Sequence, residues 1–327
     1  MRGDQERRRS VRRPNSEGNT GPSRPAGTDK TKWHGHRHIG ENPQGRDFVA
    51  GDIHGMFGAL QEALDACGFD ESRDHLLSVG DLIDRGHHSE EALAWIESGR
   101  IHAATLGNHE AMMLRALFGP NEDIRARAHA FWRENGGEWW DEAERNSTER
   151  QQWREALQAM PLAITLDTAQ GPVGIVHALP LPGPWSETVE QCRSDDDAAR
   201  YRALWGTAPS REQDAETEER RSDDEPRAII TGHFPCEAPH RTGNIVHIDT
   251  GAGLDIPSAR VTLACVSTKQ VTFHSSPAGG ARAIPRPAGD GPEGDNAALW
   301  LTNAAARKLE RWWHSRNKHG TAPETGK

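Results

Sequence analysis

Short apolar runs that stop at a glycine or a tight turn, each followed at once by an Asp, Asn or His, recur through the middle of this 327-residue chain. The first, Phe48-Val-Ala, ends in Gly51-Asp52-Ile53-His54-Gly55. Residues two apart in an extended segment point the same way, so Asp52 and His54 can share one target. His75 to Val79 ends in Gly80-Asp81-Leu82-Ile83-Asp84-Arg85-Gly86, and Ile101 to Leu106 ends in Gly107-Asn108-His109-Glu110. Pro172 to Val176 ends at His177, Ala228 to Thr231 at Gly232-His233, and Asn244 to Ile248 at Asp249. Apolar residues at helical spacing fill the gaps: Leu60, Leu64 and Cys67 before Gly68, and Met113, Leu114 and Leu117 after Asn108. A further helix is expected from Ser89 to a stop at Gly99. Strands alternating with helices predict an α/β layered domain.

In open α/β sheets, sites form at the carboxyl ends of the strands. A single Asp before a turn is usually a turn former, and a single His after a strand is usually a rim residue. Independent turn chemistry would not place metal-competent side chains at five strand ends together. Asp52, His54, Asp81, Asn108, His177 and His233 therefore form the candidate ligand set. Oxygen and imidazole donors without a thiolate suit Mn²⁺, Fe or Zn²⁺ better than Ca²⁺. Asp81 is the natural bridge between two ions, with Asp52 and His54 on one and Asn108, His177 and His233 on the other.

These motifs resemble the phosphoprotein phosphatase family of metallophosphoesterases, and within it the bacterial and phage-lambda type of serine/threonine protein phosphatase. Asn135-Gly-Gly-Glu-Trp139 and His247-Ile-Asp-Thr-Gly-Ala252 are also similar to that branch, and the likeness spans residues 46 to 275. The resemblance implies a four-layer α/β/β/α sandwich with a mixed β-sandwich core and a dinuclear, Mn²⁺-dependent centre. It implies hydrolysis of phosphomonoesters, phosphoserine and phosphothreonine in proteins first among them, by direct attack of a metal-bridging hydroxide. The residues fit such chemistry. Arg85 offers a guanidinium fork matched to phosphate oxygens. His109 is the expected general acid, Asp84 the carboxylate that holds it, and Asn108 a residue that touches substrate as well as metal. The branch carries a second phosphate-binding Arg shortly after a Trp, whereas here Trp205-Gly206 is followed by Thr207; Arg211 is the expected substitute, with Arg202 the alternative.

Two other functions compete. Hydrolases of dinucleoside tetraphosphates (Ap4A) resemble this chain but look to lack the Asp found at position 84. A catalytically silent metal-binding module would have lost a ligand or the acid, and none of these is missing.

The rest of the chain is read as follows. Residues 1–45, rich in Arg, Gly, Pro and Ser, are expected to be a disordered basic tail, and the His34-Gly-His36-Arg-His38 cluster within it a solvated stretch. Residues 46–275 form the catalytic domain, 276–295 a Pro/Gly-rich linker, and 296–327 an amphipathic helix with its tail. Residues 121–160 look helical, with tryptophans as core anchors. A net charge of −10 argues against nucleic-acid or anionic-membrane partners, and four scattered cysteines without a Cys-x-x-Cys pair favour reduced thiols. No apolar run approaches the ~18 residues of a membrane helix, and the Arg-rich start has no hydrophobic region behind it, so a cytoplasmic monomer is expected.

Overall fold

Two sheets pack face to face, and the alternation of side chains along their strands explains why. In a computed structural model the described residues are 34–141, 143, 145–194, 196–206 and 225–279. The strands are β1 (His34–Ile39), β2 (Asp47–Ala50), β3 (His75–Ser78), β4 (Ala103–Ala104), β5 (Pro161–Leu166), β6 (Val173–Val176), β7 (Ala228–Thr231), β8 (His240–Thr242), β9 (Ile245–His247), β10 (Arg260–Cys265) and β11 (Thr272–Pro277). One sheet has the order β1-β5-β6-β7-β9-β8 and the other β11-β10-β2-β3-β4, and both mix parallel and antiparallel pairs. Val49, Leu77, Ile164, Ile175, Ile230, Val246 and Ala264 point between the sheets and form one apolar core. Their neighbours Phe48, Leu76, Ala163, Val176, Ile229 and Leu263 point the other way into a second core shared with helices. Strands buried on both faces read as continuous apolar runs, which is how these segments appear in the sequence.

The helices are α1 (Phe57–Ala66), α2 (Glu91–Glu97), α3 (Asn108–Phe118), α4 (Glu122–Glu134), α5 (Ser147–Gln158), α6 (Trp185–Arg193) and α7 (Asp197–Trp205). Helix α1 lies on β10 and β11, while α6 and α7 cover β1 and β5. The result is the expected α/β/β/α layering. Helices α4 and α5 start at Asn121 and Asn146, whose side chains accept from the backbone N–H of Ile124 and Glu149. Gly68, at φ 62°, follows α1 and stops it.

One expectation is corrected. His34–Ile39 is a strand rather than part of a solvated tail, and it pairs in parallel with β5. The His36 ring meets the Thr165 hydroxyl at 2.8 Å, and Ile39 is buried in the core between the sheets. Gly35 allows this, because a Cβ there would overlap the backbone of Cys192 at the end of α6. The cause was invisible locally: β1 is held by side-chain and backbone partners more than a hundred residues away, and histidines alternating with Gly and Arg carry no apolar signal. Strand β5 is a further element, outside those expected from the sequence. The expected linker start is corrected as well, since Ser276 and Pro277 pair with Val261 and Arg260 as the end of β11. Residues 1–33 of the expected tail, the rest of the linker from 280, the C-terminal amphipathic helix and Arg211 lie outside the described residues. No described helix is long and apolar enough to cross a membrane.

Candidate metal centre

Five strand ends converge. Strands β2 and β3 run parallel, so the turns after Ala50 and Ser78 lie side by side, and the amides of Ile53 and His54 donate to the carbonyl of Asp81 at 3.0 and 2.8 Å. Strands β6 and β7 bring His177 and His233 in from the other sheet, and the amide of Gly232 donates to the His177 carbonyl at 2.7 Å. Gly107 starts α3 and places Asn108 and His109 in its first turn. Asp52, His54, Asp81, Asp84, Asn108, His109 and His177 are all buried.

Asp81 stands at the centre. Its Oδ2 is 3.6 Å from His54 Nε2, 3.9 Å from His109 Nε2 and 3.5 Å from His177 Nε2. Two groups have ligand atoms within 4.8 Å of one another: His54, Asp81 and His109, and Asp81, His177 and His233. Asp81 belongs to both. Asp52 lies alongside, with Oδ2 4.0 Å from His54 Nε2, and its carboxylate accepts from the backbone N–H of His233. Gly232 is required there, because a Cβ would overlap the Asp52 carboxylate.

Tautomers follow from the outer hydrogen bonds. His54 Nδ1 donates to the Ile83 carbonyl at 2.9 Å and His177 Nδ1 to the Val79 carbonyl at 3.0 Å, which leaves both Nε2 atoms as lone pairs facing inward. His233 is hydrogen-bonded to the Trp205 backbone, which offsets only part of the lowering of its pKa by burial, and its Nδ1 faces inward toward Asn108. Asn108 Oδ1 then sits 2.8 Å from His177 Nε2 and 3.0 Å from His233 Nδ1. Three electron-pair donors point at one another with no proton to share, an arrangement a cation would satisfy. The donor set therefore fits divalent metal.

Burial first, and nearby carboxylates after it, push the carboxyls of Asp52 and Asp81 well above the usual carboxylate range. Burial also holds His54 and His177 well below the usual histidine value and His233 down to about 4, with the positive charge of Arg85 contributing to each. The imidazoles are thereby kept neutral, which is the form that binds metal.

Beside this cluster lies an acid–base pair. His109 Nδ1 donates to Asp84 Oδ2 at 2.7 Å. Arg85 donates from Nη1 to His54 Nε2 at 2.8 Å and from Nη2 to His109 Nε2 at 3.0 Å. Among the described residues, the five non-glycines with positive φ are His54, Asp81, Asp84, Arg85 and His233. All five belong to this site. Strain of that kind persists where surrounding structure overdetermines it, and it concentrates at functional positions.

All six candidate ligands, together with Asp84, Arg85 and His109, are thus brought together, while Arg202 has its Nε on the Pro180 carbonyl at 2.8 Å. Sequence reasoning passed over Glu110, whose carboxylate accepts from the amides of Asp81, Leu82 and Gly107 at 2.9, 2.8 and 3.0 Å and so ties two strand ends together. Its position three residues into α3 is the capping pattern that could have revealed it. Sequence reasoning also assigned Trp132 and Trp139 to the core alone, although both indoles donate to Asp84.

Residues 48–246 match the calcineurin-like phosphoesterase family, and the chain belongs to that family of metallophosphoesterases. It is similar to serine/threonine-protein phosphatase 1 of Salmonella typhimurium, at 44% identity over 28% of this chain and 39% of that one. It is also similar to the symmetrical bis(5'-nucleosyl)-tetraphosphatase of Aromatoleum aromaticum, at 32% identity over 50% of this chain and 57% of that one. The chain thus spans between about two fifths and three fifths of the length of these curated relatives. In fold it is similar to a protein serine/threonine phosphatase from Saccharomyces cerevisiae, with a TM-score of 0.55 at 16% identity, covering 79% of this chain and 87% of that one.

Proposed function

We propose that the protein hydrolyses phosphomonoesters, with phosphoserine and phosphothreonine side chains of proteins as its substrates. The observation that carries this reading is that two donor groups share Asp81, and that His109, which belongs to one of them, is anchored through its other ring nitrogen on Asp84. Asp52, His54 and Asp81 would hold one divalent cation, and Asp81, Asn108, His177 and His233 the other, with Mn²⁺ the favoured metal and Fe or Zn²⁺ the alternatives. Two such cations, when bound, neutralise phosphate oxygens and make water a competent nucleophile near neutral pH.

The chain's own residues account for the rest. Arg85 exchanges its ring-nitrogen partners for two phosphate oxygens, a contact its planar fork is shaped to make. His109 presents Nε2 toward the leaving oxygen and delivers a proton there, while Nδ1 stays anchored on Asp84. Burial, with the charge of Arg85, lowers the His109 pKa well below the usual value; a phosphate dianion bound beside the ring would favour its protonated form. No covalent intermediate is required, so no nucleophilic Ser or Cys is needed. We place the enzyme in the cytoplasm, acting as a monomer without nucleic-acid or membrane partners.

A second reading is supported by the similarity to a symmetrical bis(5'-nucleosyl)-tetraphosphatase. The phosphatase reading is favoured by Asp84. A nucleotide leaving group departs readily as a phosphate, whereas a serine alkoxide needs the proton that a held His109 supplies. Release of phosphate from a phosphoserine peptide, compared with cleavage of diadenosine tetraphosphate, tests the choice. Faster turnover of the peptide is expected; preference for the tetraphosphate by orders of magnitude would overturn the reading.

A further inference from the structure

The Asn135-Gly-Gly-Glu-Trp139 motif lies outside the metal centre and the acid–base couple, yet its geometry ends on Asp84. Trp139 Nε1 donates to Asp84 Oδ1 at 2.6 Å, and Trp132 Nε1 donates to Asp84 Oδ2 at 2.7 Å, the oxygen that also accepts from His109 Nδ1. Asp84 has no solvent exposure, and among the described residues no Arg or Lys forms an ion pair with it. A buried carboxylate without a cationic partner is costly unless N–H donors satisfy it. Here three N–H groups occupy its two oxygens, and two of them are indoles.

The motif builds that arrangement step by step. Asn135 ends α4 and its side-chain amide donates to the Phe131 carbonyl at 2.8 Å. Gly136 adopts φ 109°, a conformation other residues rarely take, and its carbonyl accepts from the Arg85 amide at 3.4 Å. Gly137 lies against the Trp132 indole so closely that a Cβ would sit 2.5 Å from Trp132 Nε1. A single turn over Gly137–Trp140 then delivers the second indole. Indole N–H is a donor only and cannot rearrange to offer an acceptor, so the pair suits a carboxylate and not its protonated form.

We infer that Trp132 and Trp139 are positioning residues for the acid step: their indole N–H groups hold Asp84 as a carboxylate in the one orientation that keeps His109 aimed at the leaving oxygen. Burial works against the charged state and raises the Asp84 pKa well above the usual range, and the two indole hydrogen bonds are the largest effects opposing it. Without them the carboxyl takes up a proton or turns, and His109 loses its anchor at Nδ1. The inference rests on the reading of His109 as general acid, and it gives the tryptophans a task that packing alone would not require.

Leaving-group dependence separates the two roles. A phosphoserine peptide expels an alkoxide that needs the proton, whereas 4-nitrophenyl phosphate expels a phenolate that does not. Trp139→Phe and Trp132→Phe should each lower kcat on the phosphoserine peptide by at least about tenfold, the lower part of the range for losing acid catalysis. Both should leave kcat on 4-nitrophenyl phosphate within about twofold and metal content unchanged. Trp140→Phe is the packing control: Trp140 is buried in the same cluster, at 5.6 Å from Trp139 and 6.3 Å from Trp132 between ring centroids, and has no bond to Asp84. It should leave the ratio of the two rates unaltered. Equal losses on both substrates in the Trp139 and Trp132 variants, or no loss on the peptide, would overturn the inference. His109→Asn run alongside distinguishes the failures. If it lowers both rates equally, the acid reading falls and the inference falls with it; if it lowers the peptide rate selectively while the tryptophan variants do not, the inference alone falls.

Discussion

At the scale of single residues, His109 and the metal-facing histidines differ in what their second nitrogen touches. His54 and His177 anchor Nδ1 on backbone carbonyls, which fixes a neutral ring with the Nε2 lone pair turned into the site. His109 anchors Nδ1 on a carboxylate, which stabilises the ring when it carries a second proton. His109→Asn should therefore leave metal content intact while lowering turnover of a phosphoserine peptide by about a hundred- to ten-thousandfold. Metal analysis and rate measured on the same sample check this, and loss of metal would mean that His109 ligates rather than protonates.

At the scale of elements, the strand ends carry the site because glycines let them approach. Gly232 passes so near Asp52 that a methyl group would displace the carboxylate, and Gly107 does the same for Asp81. Gly232→Ala should thus fold with an unaltered far-ultraviolet circular dichroism spectrum but bind metal at least about tenfold more weakly, which is only about 1.4 kcal/mol of ligand displacement. Affinity equal to the parent's would show that β7 and β2 tolerate a wider gap. Most of these elements were legible in the sequence: β2, β3, β6, β7 and β9 are apolar runs whose ends carry the polar residue, so position along the chain already indicated position in the site. Strand β1 was not legible, since its alternating histidines have a meaning only against Thr165 and the end of α6. The tryptophans were visible as a motif, but nothing in Asn-Gly-Gly-Glu-Trp names Asp84 as the target, which lies 55 residues away in sequence from Trp139.

At the scale of the whole molecule, the metal centre is the place where two sheets meet, so occupancy and stability should be linked. Without metal, Asp52 and Asp81 have raised folded-state pKa values, so the protons they keep stabilise the fold at low pH, and that contribution is lost as pH rises through those values. Histidines with lowered folded-state pKa values act in the opposite sense: their contribution is present above the unfolded value of ~6.5 and is lost as pH falls from there through the lower folded-state values, and neutral rings and charged carboxylates are what a cation binds. The rise in Tm on adding Mn²⁺ should accordingly be larger at about pH 8 than at about pH 5.5, as scanning calorimetry would show; an equal rise at both would indicate binding elsewhere. The most direct test of the two-ion centre is the metal stoichiometry of the purified protein beside that of Asp81→Asn, since one carboxylate is shared by both donor groups. The account predicts two ions per chain (~2, as a dinuclear site requires) and loss of both in the variant, whereas one ion per chain, or a variant that keeps its full complement, would contradict it.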